Sequence, residues 1–255
     1  MKSRMDAIGV IPARYKSTRF EGKVLADIAG KYMVQHVYEA AKSSNALDDV
    51  IVATDDDKVV KAVREFGGKA VLTSSAHNTG TDRIVEVVNP LDVRIVVNIQ
   101  GDEPLIHHTM IDDLVACLLS DRKLNMATVI KRIDNRHDLT DPNVVKVVID
   151  REGYALYFSR SPIPYERVGQ AKRLFKHMGL YAYTKDFLFM FKNLPQSDLE
   201  KVESLEQLRV LENGFRIKTI ETDYDTIGVD TPADLEKART MLREREMKSM
   251  KAKKA

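Results

Sequence analysis

Three short runs in the first hundred residues are almost wholly apolar: Ala7-Ile8-Gly9-Val10-Ile11, Val50-Ile51-Val52-Ala53-Thr54 and Val93-Arg94-Ile95-Val96-Val97-Asn98-Ile99. A strand with one wet face alternates apolar and polar residues. A run without that alternation suits a strand covered on both faces, as in a parallel sheet. The intervening segments have helical spacing. Met33, Val37, Ala40 and Ala41 mark one helix; Lys58 to Phe66 marks another, stopped by Gly67-Gly68. Ala70-Val71-Leu72 adds a short strand. This βαβα rhythm predicts an α/β fold, with a mostly parallel sheet covered by helices on both faces.

The second half changes character. Met126–Lys131, Val144–Ile149, Tyr154–Ser159 and His177–Thr184 read as strands separated by turn residues. They predict a smaller, more antiparallel inserted portion around residues 125–195. Leu199, Val202, Leu205, Leu208 and Leu211 recur every third residue and predict one helix; Phe215–Glu221 predicts a strand. Thr231-Pro232-Ala233-Asp234 combines a capping threonine, a proline at the first helical position and an acid at the third, so the last helix starts there. No repeat or long Pro/Gly/Ser linker interrupts the 255 residues. We expect one domain over 1–245, which is an ordinary size for an α/β unit, and a basic tail over 246–255.

Composition narrows the function. Forty Lys and Arg against 38 Asp and Glu leave a net charge of +2, giving no global attraction to nucleic acid; any anion site must be local. No run reaches the roughly 18 apolar residues of a membrane span, and the N-terminus has no signal-peptide core, so no membrane insertion is expected. The one cysteine, Cys117, lies in the apolar run DDLVACLLS and reads as a buried structural thiol. An unpaired cysteine suits a reducing compartment, and a cytoplasmic location is expected.

Three segments carry the candidate chemistry. Ile11-Pro12-Ala13-Arg14-Tyr15-Lys16-Ser17-Thr18-Arg19-Phe20-Glu21-Gly22-Lys23 follows the first strand, at the carboxyl edge where open α/β sheets bind ligands. Arg14, Lys16, Arg19 and Lys23 are interleaved with hydroxyls and a glycine, a mixture suited to a triphosphate. Spacing alone leaves a solvated basic loop equally open. Ser17 stands where a Walker loop has its first glycine, and no GxGxxG follows the strand, which weighs against a P-loop ATPase and a dehydrogenase. Asn98-Ile99-Gln100-Gly101-Asp102-Glu103-Pro104 places an acid at the end of another buried strand, where Asp102 reads as a Mg2+ ligand or as a capping residue. Asp230, in Ile227-Gly228-Val229-Asp230-Thr231-Pro232, has the same two readings.

Together these segments resemble the 3-deoxy-manno-octulosonate (Kdo) cytidylyltransferase family. Tyr154–Pro164 with its Phe158-Ser159-Arg160, His177-Met178-Gly179-Leu180-Tyr181-Ala182-Tyr183, and Leu205-Glu206-Gln207-Leu208-Arg209 extend the match to about residues 7–240. The Phe-Ser-Arg and Glu-Gln-Leu-Arg segments separate the chain from sialic acid cytidylyltransferases and from sugar-1-phosphate nucleotidyltransferases. The resemblance implies a Rossmann-like nucleotide-diphospho-sugar transferase fold, a cytoplasmic homodimer, a Mg2+ requirement, and activation of Kdo with CTP for lipopolysaccharide. By position it assigns Pro12, Ala13, Arg14, Ser17, Arg19, Lys23, Thr79, Gly80, Thr81, Arg83 and Gln100 to the nucleotide. It assigns Gln100, Arg160, His177, Tyr181, Glu206 and Gln207 to the sugar, and Asp102 and Asp230 to the metal. Asp102, Asp230, Lys23 and Arg14 are the implied catalytic set. One departure stands out: the family's usual Arg-Leu-Pro-Gly-Lys is Arg19-Phe20-Glu21-Gly22-Lys23 here, with Val24 where proline is common. Glu21 is expected to loosen this loop and add negative charge beside it.

The reaction implied is attack by the anomeric hydroxyl of the sugar acid on the α-phosphorus of CTP, with pyrophosphate leaving. Two anions must meet; unit charges about 4 Å apart repel by roughly 4 kcal/mol at intermediate dielectric, so cations must offset this. The 8-amino analogue of Kdo is an alternative substrate. A non-catalytic nucleotide-sensing module is the rival from another class, and a second carboxylate for metal speaks against it. RNA binding fits neither the balanced charge nor the lack of an aromatic-rich basic strand.

Overall fold

The computed structural model describes residues 4–16, 20–167 and 173–252. Its centre is a mixed sheet built on β1 (Met5–Pro12), β4 (Asp49–Thr54), β5 (Ala70–Leu72), β6 (Val93–Asn98), β7 (Met126–Arg132), β10 (Phe175–Thr184) and β11 (Lys218–Thr222). Their order across the sheet is β11-β7-β10-β6-β1-β4-β5. β1 runs parallel to both β4 and β6, and β4 to β5; β10 is antiparallel to β6 and β7. β8 (Lys146–Ile149) and β9 (Ala155–Ser159) extend the sheet as an antiparallel pair alongside β10. Of the 125–195 portion, β7 and β10 are therefore woven into the main sheet. A separate two-stranded hairpin, β2 (Asp27–Ile28) with β3 (Lys31–Tyr32), follows the first loop.

The apolar strands are explained by their two covers. Ala7 and Ile11 of β1, Val50 and Val52 of β4, and Ile95 and Val97 of β6 face one core. That core is closed by α1 (Met33–Lys42), α2 (Asp57–Glu65) and α4 (His108–Ser120). Ile8 and Val10, Ala53, and Val96 face a second core, closed by α3 (Gly80–Val88) and α6 (Lys185–Asn193). Successive residues point to opposite faces of a strand, so coverage on both sides demands apolar residues throughout.

Side-chain caps open several of the helices, among them the last one, where Thr231 was expected to cap. Asp56 accepts the Lys58 N–H at 2.8 Å to open α2, and Gly67, with φ +79°, follows its end. Thr79 and Asp82 exchange hydrogen bonds at the start of α3, and Thr231 and Asp234 do so at the start of α9 (Pro232–Ala252). α9 carries the basic tail as helix to Ala252.

The single helix expected over Leu199–Leu211 is two. α7 (Asp198–Glu203) ends at Ser204, whose φ of +52° is left-handed, and α8 (Leu208–Glu212) follows a turn; a short α5 (His137–Thr140) lies between β7 and β8. Strict threes drift by roughly 60° per step on an α-helix. Leu199 and Val202 accordingly sit 39% and 83% exposed, while Leu205 and Leu208 are buried. The break at Ser204 resets the direction of the chain. Cys117 is only half-buried, and burial raises its thiol pKa.

Candidate active site

The order β6-β1-β4-β5 makes the junction of β1 and β6 the point where the winding reverses, and the loops after these strands meet there. Gly101 makes the meeting possible: a Cβ on it would lie 2.9 Å from the Pro12 carbonyl oxygen. The first loop is fastened from within. Ala13 is buried and donates to the Ala53 carbonyl at 2.9 Å, and Gly22 donates to the Tyr15 carbonyl at 2.8 Å. Gly22 has φ +68° and packs on the Tyr15 ring, conditions only glycine meets without strain. Phe20 packs with Leu235 and Ala238 of α9, Val24 is buried in the main core, and Glu21 is exposed. These contacts hold the chain on either side of Glu21.

Lys23 is the centre of the site. Its Nζ donates to Asp102 Oδ2 at 2.6 Å, to Asp230 Oδ1 at 2.8 Å and to the Val229 carbonyl at 3.1 Å. Two acids 128 residues apart thus converge on one nitrogen, and a backbone bond from Val229 N–H to the Asp102 carbonyl, at 2.9 Å, ties their loops together. Burial would lower the Lys23 pKa, but the two carboxylates outweigh it and hold it above its usual value. Arg14 is half-buried nearby in the same loop and pairs with no described carboxylate. Ser17 and Arg19 lie outside the described residues.

Thr79, Gly80 and Thr81 form the start of α3, beside the first loop: a Cβ on Gly80 would contact Pro12 Cγ at 3.4 Å. Thr81 Oγ1 donates to Glu206 Oε2 at 2.9 Å, which joins an expected nucleotide residue to an expected sugar residue. Gln207 is buried beside it as the residue opening α8, and burial raises the Glu206 pKa. A polar cavity of about 260 Å3 opens here, bounded by Thr79, Thr81, Glu206, Lys192 and Arg209.

On the other wall, β10 bulges between Met178 and Tyr181. The bulge brings the His177 and Tyr181 rings to 5.2 Å, and His177 Nε2 meets Thr128 Oγ1 at 2.9 Å. Burial lowers the His177 pKa to about 3 and raises that of Tyr181, so both rings are neutral near pH 7. Gln100 donates to Asn98 Oδ1 at 3.3 Å, next to this wall.

Two expected site residues have other partners. Arg83 is fully buried and holds Asp55 at 3.0 Å and Thr73, bracing α3 against the ends of β4 and β5. Arg160 spends its guanidinium on the carbonyls of Glu203 at 2.7 Å, Pro142 at 2.9 Å and Ser204 at 3.4 Å, and so holds the turn before Glu206. One residue escaped the sequence reading although it adjoins Asp102. Glu103 is buried, accepts from Thr226 Oγ1 at 2.9 Å and from the Gly179 N–H, and is held by burial and by the Asp102 charge at a pKa of about 7. The signal was Gly179, whose missing side chain leaves room for it.

The chain is similar to known proteins over nearly its whole length. A family model described as cytidylyltransferase matches residues 8–220. The 3-deoxy-manno-octulosonate cytidylyltransferase of Geotalea daltonii is 54% identical over 94% of this chain and 100% of its own length. That of Thermodesulfovibrio yellowstonii is 52% identical over 93% and 98%.

The chain belongs to the 3-deoxy-manno-octulosonate cytidylyltransferase family.

A solved structure of CMP:2-keto-3-deoxy-manno-octonic acid synthetase, complexed with CTP, superposes with a TM-score of 0.89 at 46% identity, over 94% of this chain and 99% of that one. A 4-diphosphocytidyl-2C-methyl-D-erythritol synthase from Anaerococcus prevotii, 15% identical with a TM-score of 0.61, shares the fold, over 93% and 98% of the two chains.

Proposed function

We propose that this chain transfers the cytidylyl group of CTP to Kdo, giving CMP-Kdo and pyrophosphate, the activated sugar for lipopolysaccharide. The observation that carries the reading is the convergence of Asp102 and Asp230 on Lys23, at the carboxyl edge of β1 and β6. A binding module needs no such paired carboxylates, whereas a reaction between two anions needs both fixed cations and a place for a divalent ion.

Arg14 supplies positive charge toward the phosphates; Lys23, whose three N–H donors here serve Asp102, Asp230 and the Val229 carbonyl, is assigned to them by the family resemblance, and charge on the transferring group and on pyrophosphate is thereby stabilised as it develops. Arg19 and Ser17, in the same loop, are assigned to the triphosphate by the family resemblance. The start of α3 at Gly80–Thr81 offers backbone N–H groups to the nucleotide. The wall of Gln100, His177 and Tyr181 takes the sugar, with Glu206 and Gln207 receiving its hydroxyls. Neutral His177 orients the sugar by hydrogen bonding and adds no charge. The anomeric oxygen forms the new bond to the α-phosphorus as the bond to pyrophosphate breaks, and the hydroxyl gives up its proton. Arg160 and Arg83 act at one remove, by fixing the turn before Glu206 and the start of α3.

Among the described residues, no three His, Cys, Asp or Glu side chains cluster as a closed metal cage. Asp102 and Asp230 fit Mg2+, which takes one or two carboxylates and completes its shell with phosphate oxygens and water. When bound, it would neutralise phosphate charge and acidify the attacking hydroxyl.

The homodimer and the cytoplasmic location belong to the same proposal. The portion around residues 145–190 is the proposed dimer contact, and within it Leu156 on β9 and Tyr165 beyond β9 are 60% and 89% exposed; sedimentation as a monomer would remove it. No helix among the described residues is long and apolar enough to cross a membrane; the cytoplasmic location rests on the family resemblance and on the unpaired Cys117.

The deciding experiment measures pyrophosphate release with four nucleoside triphosphates, with Kdo or its 8-amino analogue, and with Mg2+ or a chelator. Release from CTP with Kdo and Mg2+ supports the reading. Release with the 8-amino sugar alone reassigns the substrate, and undiminished release in chelator removes the metal.

A further inference from the structure

We propose that Glu103 is a positioning residue that fastens the sugar wall to the two aspartates. The inference rests on the reaction proposed above. The Glu103 carboxyl is buried and reaches two other chain segments at once. One oxygen accepts from Thr226, in the segment leading to Asp230, at 2.9 Å. The carboxyl also accepts the N–H of Gly179, inside the β10 bulge that sets His177 beside Tyr181. Glu103 itself follows Asp102 directly. Three segments that each carry site residues therefore share one side chain.

The packing leaves little play. A Cβ on Gly179 would fall 2.7 Å from Glu103 Oε1 and 3.3 Å from Gln100 Cγ, so the bulge rests directly on the Gln100–Glu103 turn. Bare capping does not account for this arrangement, because a cap satisfies its own helix or turn. Here the acceptor serves donors 76 and 123 residues away. A buried acceptor shared by separate segments fixes their relative position, since losing it strands the Gly179 donor.

The test compares Glu103→Gln, Glu103→Met and Thr226→Val with the unmodified protein, by pyrophosphate release, circular dichroism and hydrogen exchange at the Gly179 amide. Gln keeps one oxygen for Gly179 and presents an amide that the Thr226 hydroxyl can accept, so kcat should stay within about threefold. Met fills similar space with no strong acceptor. It should lower kcat by about 100-fold, the effect of a displacement near 1 Å in a reacting site. It should also raise the KM for the sugar more than that for CTP, and speed exchange at Gly179. Thr226→Val should fall between, and it carries the test if the Met variant does not fold.

A folded Met variant with ordinary kcat and sugar KM overturns the proposal, as does a Gln variant as impaired as Met. Absence of release from the unmodified protein strikes instead at the proposed reaction. In that case faster Gly179 exchange in the Met variant still reports the fastening, and unchanged exchange overturns it.

Discussion

Gly101→Ala tests the meeting of the two loops that build the site. The added Cβ would sit 2.9 Å from the Pro12 carbonyl oxygen, 3.4 Å from Ile11 Cγ2 and 3.6 Å from the Ala13 Cβ. The first contact is to backbone, which has no rotamer to change. Relief to an ordinary contact needs about half an ångström of separation between the Gln100–Asp102 turn and the end of β1. Pro12 is bounded by Ala13, which is tied to Ala53 at 2.9 Å, so most of the movement falls on the turn and carries Asp102 from Lys23. Overpacking of this kind costs about 1–3 kcal/mol, or roughly 2–10 °C in Tm for a chain of this size. A displacement near half an ångström, scaled from about 100-fold per ångström, lowers kcat by about tenfold. Thermal unfolding and pyrophosphate release measure the two effects. Unchanged kcat with a lowered Tm would mean that Asp102 does not depend on the contact, and no change in either would refute the packing argument.

Other perturbations have equally definite outcomes. Lys23→Met should lower kcat by about 100- to 1,000-fold, because two facing carboxylates lose their fixed cation; activity within fivefold of normal would remove Lys23 from the site. Asp102→Asn should abolish turnover and leave the far-ultraviolet circular dichroism unchanged; full activity would refute the metal assignment. Arg83→Met should destabilise by about 3–5 kcal/mol in denaturant unfolding, since it strands Asp55 and opens a fully buried brace. His177 should stay neutral in NMR titration from pH 8 to 5. Its folded pKa, about 3, lies below the unfolded value. The unfolded chain therefore binds the proton first as pH falls below about 6.5, and the His177 contribution to stability is lost by about 1.4 kcal/mol per unit of pH down to the folded pKa. An imidazole midpoint near 6.5 would show that the ring is wet.

Local pattern determined the sheet and the starts of α1, α2 and α9. Buried strands must be apolar on both faces, as β1, β4 and β6 are, and capping pairs such as Thr79 with Asp82 and Thr231 with Asp234 act within four residues. The same locality misread Leu199–Leu211, where a left-handed Ser204 turned the chain, and overlooked α3, α4 and α6; in α4 and α6 apolar residues crowd too densely to show a clear period. The family motifs nominate site residues, but motif position does not separate a group that faces ligand from one that supports it. Arg83 and Arg160 carry the charge of ligand-binding residues, and only their carbonyl and carboxylate partners reveal braces. Glu103 was legible as a letter beside Asp102, while its role depends on Gly179 and Thr226, brought to it by a bulge and a distant loop. The sequence by itself determined which strands are buried, where α1, α2 and α9 begin and which residues can carry charge or bind metal. Tertiary structure alone decided which of them share one nitrogen, one carboxyl or one wall, because such contacts join residues whose separation along the chain bears no relation to their separation in space.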